Sequence, residues 1–147
     1  MLGWIDVESD VDRDFPHKEI TRKVIDAFYQ VYRELGYGFS EAIYRRGTVI
    51  VLRDWGLDVV EEQVITVTFR GVRIGTFYGD IVVAGVVLVE VKAAASMENY
   101  AQAQLLNYLK AAGGGVGMLL NFGREPTHKR FVMGDASDSL PGLRGQL

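Results

Sequence analysis

Along residues 17–35 apolar side chains return every three or four positions, at Ile20, Val24, Ala27, Phe28, Val31 and Leu35. That is the spacing of one face of an amphipathic helix. Pro16 suits its first turn and Gly36 its stop. Ser40 has the chemistry of an N-cap for a second helix through Trp55, with Ile43, Ile50 and Val51 facing inward and Gly56 ending it. The period then changes. Residues 58–69 alternate and are rich in Val, Ile and Thr, and Arg70-Gly71-Val72-Arg73 turns the chain into a second strand that ends near Val83. After the Ala84-Gly85 turn, Val86 to Val91 form a nearly continuous β-branched run, as a central strand covered on both faces requires. Helical spacing returns from Met97 to Ala112, with Ala101, Leu105, Tyr108, Leu109 and Ala112 on one face and Gly113-Gly114-Gly115 as the stop. Two short strands follow, Val116 to Phe122 and Lys129 to Met133. The order ααβββαββ predicts an α/β (α+β) domain in which a mixed sheet is flanked by helices.

At 147 residues the chain fits one domain. Its expected division is an acidic arm over 1–15, the domain over 16–133 and a loose tail over 134–147. Hydrophobic content of 48% against 24% charged excludes a wholly disordered chain. No apolar run approaches the roughly 20 residues that cross a bilayer, so no membrane partner is expected. The absence of cysteine rules out disulfides and thiolate metal sites. His17 and His128 have no partner at ligand spacing and read as surface residues, so any metal must sit on oxygen. The first residues lack a basic segment followed by an apolar one, which makes the cytoplasm the expected compartment.

Charge changes this picture only in its distribution. The net charge is −3, but the first 14 residues hold five acids against Arg13 alone, which leaves 15 basic and 14 acidic residues in the remainder. Bulk charge therefore does not drive nucleic-acid binding. Basic residues gather at Lys18, Arg22, Lys23, Arg33, Arg45, Arg46 and Arg53, and again at Arg124, Lys129 and Arg130, and by themselves read as solvated faces.

The chemistry concentrates near two strand ends. Pairing around Ala84-Gly85 sets Asp80 opposite about Val89, so its carboxylate meets Glu90 if a twist or bulge turns both to one face. Glu90 and Lys92 point the same way along their strand. Two acids among apolar strands are costly unless a cation neutralises them, and hard oxygen ligands describe a Mg²⁺ or Mn²⁺ site. The competing explanation is a structural Glu–Lys contact beside a turn-flanking Asp.

Other segments carry spacing of their own. Gly38-Phe39-Ser40-Glu41-Ala42-Ile43-Tyr44 reads G-x-x-E-x-x-Y, and Gln104 to Tyr108 reads Q-x-x-x-Y on the helix after the Glu-Val-Lys strand. With Asp80 and Glu90-x-Lys92 between them, the chain resembles the GxxExxY family of the PD-(D/E)XK nuclease superfamily, from about Pro16 to Met133. Gly79 stands where that motif has proline. The resemblance implies a restriction-endonuclease-like core and Mg²⁺-dependent hydrolysis of phosphodiester bonds in DNA, with RNA second. Asp80 and Glu90 would then hold the metal with the main-chain carbonyl of Val91, Lys92 would be catalytic, and Glu41 would approach the metal or its water. Gln104 and Tyr108, with Tyr44, would support the site or the substrate strand. Each also has a plainer reading: Glu41 as a helix-dipole acid, Tyr44 as packing, Gln104 and Tyr108 as a core stripe with Tyr100. The partner implied is nucleic acid, with a homodimer or a complex with a larger nucleic-acid-processing protein as further expectations. The rivals to an enzyme are a nuclease-fold module that binds without cleaving and a subunit active only in a complex.

Overall fold

The computed structural model describes residues 4–6 by their main chain, and 15–95 and 99–134 in full. Its elements are β1 (Trp4–Asp6), α1 (Lys18–Leu35), α2 (Glu41–Asp54), β2 (Val59–Phe69), β3 (Val72–Val83), β4 (Val87–Lys92), α3 (Asn99–Ala111), β5 (Gly115–Asn121) and β6 (Thr127–Met133). One six-stranded sheet runs β1-β6-β5-β4-β3-β2. Among the described residues only β4 and β5 pair in parallel, joined by the α3 crossover. The expected mixed sheet flanked by helices is the fold observed.

Helices α1 and α2 cover one face of the sheet and α3 covers the other. The first layer buries Val24, Phe28, Val31, Tyr44, Leu52, Val89, Val91 and Phe122. The second buries Ile65, Leu88, Leu105, Leu109, Leu119 and Phe131. Strand β4 feeds both layers, which is why its run of apolar residues is nearly unbroken.

Several expectations change. β1 was not predicted: three residues inside the acidic arm pair with β6, Asp6 lying opposite Phe131, and a strand that short leaves no period to detect. Phe15, counted in the arm, is buried under the Arg130 guanidinium 4.8 Å from its ring. Arg130 is thus itself buried and does not belong to a solvated face. His128 is half-buried, not a free surface residue, its Nδ1 lying 3.1 Å from the Tyr29 hydroxyl. Helix α1 starts at Lys18, one residue late, because His17 takes a left-handed conformation ahead of it. In α2 the inward face is Tyr44, Thr48, Val49 and Leu52, while Ile43 and Ile50 are exposed. The helix carries two apolar stripes, and the buried one is that of Tyr44, whose ring stacks on Phe122 and whose hydroxyl finds partners at Gly36 and Phe39. The remainder of the arm and the tail from residue 135 lie outside the described residues.

The β2–β3 hairpin changes allegiance halfway along. Near its base Val59, Ile81 and Val83 pack under α1 and α2, whereas Ile65 and Phe77 further out pack under α3. Residues an even number apart normally share a face, so each strand must switch. On β2 the switch is Glu62, held at φ 52°. On β3 it falls across Gly79-Asp80, where a Cβ on Gly79 would come 2.7 Å from Leu88 Cδ1 and 3.3 Å from Ile65 Cδ1.

Candidate active site

The β3–β4 register sets Ile81 against Val89 and Val83 against Val87. One step further along, Asp80 meets Glu90 directly. The expected register was one residue short, because the turn takes three residues, with Ala84 and Gly85 both at positive φ, where the reading of Ala84-Gly85 counted two. Beyond Ile81 the ladder opens and carboxylates replace main-chain acceptors. The Val91 N–H donates to Asp80 Oδ2 at 2.8 Å, and the Asp80 N–H to Glu90 Oε1 at 3.3 Å. Each acid is therefore held by the other's strand. The face switch at Gly79-Asp80 supplies the irregularity needed to turn both toward α3.

Glu90 is 4% exposed. Burial, and next the Asp80 carboxylate, push its acid up to about 9, while Lys92 pulls the other way. Around neutral pH the pair therefore keeps a proton that a bound cation would displace. Lys92 shares the Glu90 face, and its Nζ donates to Gln104 Oε1 at 3.2 Å. One turn on along α3, Tyr108 stacks on Phe77 with centroids 3.7 Å apart and planes 13° from parallel. Its hydroxyl is raised by burial first, then by Glu90, Tyr100 and Asp80, with Gln104 opposing. Q-x-x-x-Y thus faces the acids. It is not a core stripe: Tyr100 is 73% exposed, and Gln104 and Tyr108 are half-buried.

The G-x-x-E-x-x-Y residues end elsewhere. Tyr44 is fully buried, stacked on Phe122 at 4.4 Å, and its hydroxyl donates to the Gly36 carbonyl and accepts from the Phe39 N–H. A side chain so enclosed cannot touch substrate; it fastens the α1–α2 connection. Glu41 opens α2 on the exposed surface. Among the described residues no three His, Asp or Glu side chains converge as a metal cage, so Glu41 does not join Asp80 and Glu90. Two carboxylates remain, a donor set that suits Mg²⁺, which keeps several of its waters and takes other oxygens from substrate phosphate.

One residue of the site went unpredicted. Asn121, buried at the end of β5, accepts from the Ala94 N–H at 2.9 Å and donates to the Ala94 carbonyl at 3.1 Å. Together with the bond from the Phe122 N–H to the Lys92 carbonyl at 2.7 Å, it stitches down the segment leaving Lys92. Gly123 lies so close to the Ala94 carbonyl that a Cβ there would collide with it. The sequence signal was a lone amide in an otherwise apolar strand, Gly115 to Phe122, where an unsatisfied polar group would be costly.

A mixed sheet with helices on both faces, bearing an interlocked Asp–Glu pair and a lysine at the open end of two strands, is the architecture of a nuclease core. The chain belongs to the PD-(D/E)XK nuclease superfamily, whose family model matches residues 18–131. No curated protein and no solved structure matches it.

Proposed function

We propose that this protein is a Mg²⁺- or Mn²⁺-dependent nuclease that hydrolyses phosphodiester bonds of DNA, with RNA as the second candidate substrate, within the GxxExxY branch of its superfamily. The observation that carries the reading is the buried Glu90 interlocked with the half-buried Asp80, with Lys92 on the same face, held by Gln104. An acid as enclosed as Glu90, with a second carboxyl against it, costs the fold stability and makes sense as a cation ligand. Asp80 and Glu90 would hold the metal with the Val91 carbonyl. When bound, Mg²⁺ would polarise the phosphate and lower the pKa of a coordinated water.

The remaining work falls to the chain's own side chains. Lys92 donates to the attacking water and to a phosphate oxygen, orienting the first and screening charge on the second. Gln104 fixes where that ammonium sits. Water adds its hydroxide to phosphorus, the bond to the leaving sugar oxygen breaks, and that oxygen takes the proton. Glu41, outside the acid pair, acts at most on the outer edge of the substrate path, and Tyr44 supports the fold that carries it.

A cleavage panel of single- and double-stranded DNA and RNA with Mg²⁺, run beside calorimetry of Mg²⁺ binding, tests this. Hydrolysis that disappears in Asp80→Asn along with Mg²⁺ binding is the expected result. Equal Mg²⁺ affinity in wild type and Asp80→Asn would remove the site. Tight nucleic-acid binding with no cleavage would favour the binding module, and cleavage only with an added partner would favour the subunit.

A further inference from the structure

A cleft of about 470 Å³ opens between the β2–β3 tip and α3, lined by Val67, Phe69, Ile74, Phe77, Asn107 and Tyr108 among others. Its size lies within the roughly 300–1,000 Å³ of small-molecule sites. The lining mixes aromatic rings with amide, hydroxyl and ammonium groups, Lys110 supplying the last. Phe69 is 58% and Ile74 64% exposed, unusual for large apolar residues facing a cavity. The Arg70 guanidinium lies 5.1 Å from the Phe69 ring centroid.

Charge around this cleft differs from the rest of the molecule. Residues 63–79 carry Arg70 and Arg73 and no acid, and residues 99–112 carry Lys110 and no acid. In a chain of net charge −3, these two walls are purely cationic. They suit a polyanion with flat, partly polar rings attached.

The cleft is connected to the acid pair through one face of α3. Tyr108 lines it, and Gln104, which holds Lys92, precedes Tyr108 by about one helical turn of 5.4 Å. That step is on the scale of one nucleotide. We propose that the cleft seats one unstacked nucleobase of the strand whose neighbouring phosphate reaches Asp80, Glu90 and Lys92, so that the substrate is single-stranded or locally unpaired. The inference rests on the nuclease reading for what that phosphate undergoes. A base buried in a duplex stack cannot enter, whereas an unpaired one offers the π-face that Phe69 and the Tyr108–Phe77 stack can meet.

Metal-free wild type, which leaves every strand intact, is titrated by fluorescence anisotropy with three probes. These are a labelled oligothymidine strand, that strand annealed to its complement, and a strand of equal length carrying abasic sites. The intact single strand is expected to bind about tenfold more tightly than either other probe, the order of one base stacked on an aromatic ring. Phe69→Ala should lose that tenfold gain while leaving abasic binding unchanged, and Phe69→Tyr should keep it. Abasic or duplex probes binding as tightly as the intact strand, no binding of any probe, or full affinity in a folded Phe69→Ala would each overturn the proposal. The wild-type probe comparison decides alone should a variant misfold. Base-dependent binding together with inert Mg²⁺-loaded protein would sink the nuclease reading and leave the cleft standing.

Discussion

The two faces of the sheet use their polar side chains in opposite ways. Under α1 and α2, Tyr44 and Thr48 are buried with their hydroxyls satisfied locally, Tyr44 at Gly36 and Phe39 and Thr48 at the Tyr44 carbonyl at 2.8 Å. Under α3, Asp80 and Glu90 bring two carboxyl groups against one ammonium, Lys92, and burial and the Asp80 carboxylate hold the Glu90 acid up at about 9. A polar group that is satisfied tends to hold a fold together, and one left in excess tends to await a ligand. Both regions carry motif residues of one superfamily, and only the second has the electrostatics of a site.

The comparison breaks most decisively at Lys92. Lys92→Ala should lower phosphodiester hydrolysis by about 10²–10⁴-fold, the range for a positioned proton-handling or charge-stabilising group. Its melting temperature should change little, measured by calorimetry beside a cleavage assay. Tyr44→Ala should do the reverse. Emptying a fully buried aromatic site costs about 3–5 kcal/mol, so thermal unfolding should shift sharply downward while activity per folded molecule stays near wild type. An activity loss in Tyr44→Ala larger than its folded fraction explains would bring that tyrosine back into the site.

Glu90 sharpens the contrast through pH. Its acid stands at about 9 in the fold against about 4.3 in an unfolded chain. Below the unfolded value both states are protonated and nothing is lost. Between the two values the unfolded chain has released its proton and the fold retains it, so stability falls as pH rises, and the loss is complete above about 9. Metal-free protein should therefore melt progressively lower from about pH 5 to pH 9. Glu90→Gln should flatten that slope, and saturating Mg²⁺ should reverse it, since the ion needs the deprotonated ligand. A metal-free melting temperature that is level across this range would contradict the buried, raised Glu90 acid. The smallest effect belongs to Gln104→Ala, for which about tenfold slower hydrolysis is expected with stability altered by less than about 1 kcal/mol. A double-mutant cycle with Lys92→Ala should show the two losses to be non-additive.

Periodicity exposed most of the elements because their apolar faces are long: α1, the β2–β3 hairpin, β4 and α3 each bury a repeating stripe. β1 is too short to have a period, and the face of α2 was ambiguous because two apolar stripes compete on it. The approach of Asp80 to Glu90 and the shared face of Glu90 and Lys92 were legible from strand pairing and alternation, but it took the superfamily resemblance to single them out, and Gln104 with them, over a plain structural contact. Neither route could reach the three-residue turn that sets the true register, or the clamp of Asn121 on Ala94. Both depend on backbone geometry and on contacts between residues far apart in sequence.

The face switch in the β2–β3 hairpin divides it into two mechanically separate segments. Before Glu62 and Asp80 the hairpin is structural lumber for the α1–α2 layer and fixes one acid; past them it forms a finger beside α3. Adding or removing two residue pairs beyond Val64 and Tyr78, which lie opposite each other, would change the reach of that finger while keeping its side chains on their faces and without shifting Asp80. The architecture thereby lets selection, or a protein engineer, vary the finger as a modular trait, while Asp80, Glu90 and Lys92 pass unaltered from one variant to the next.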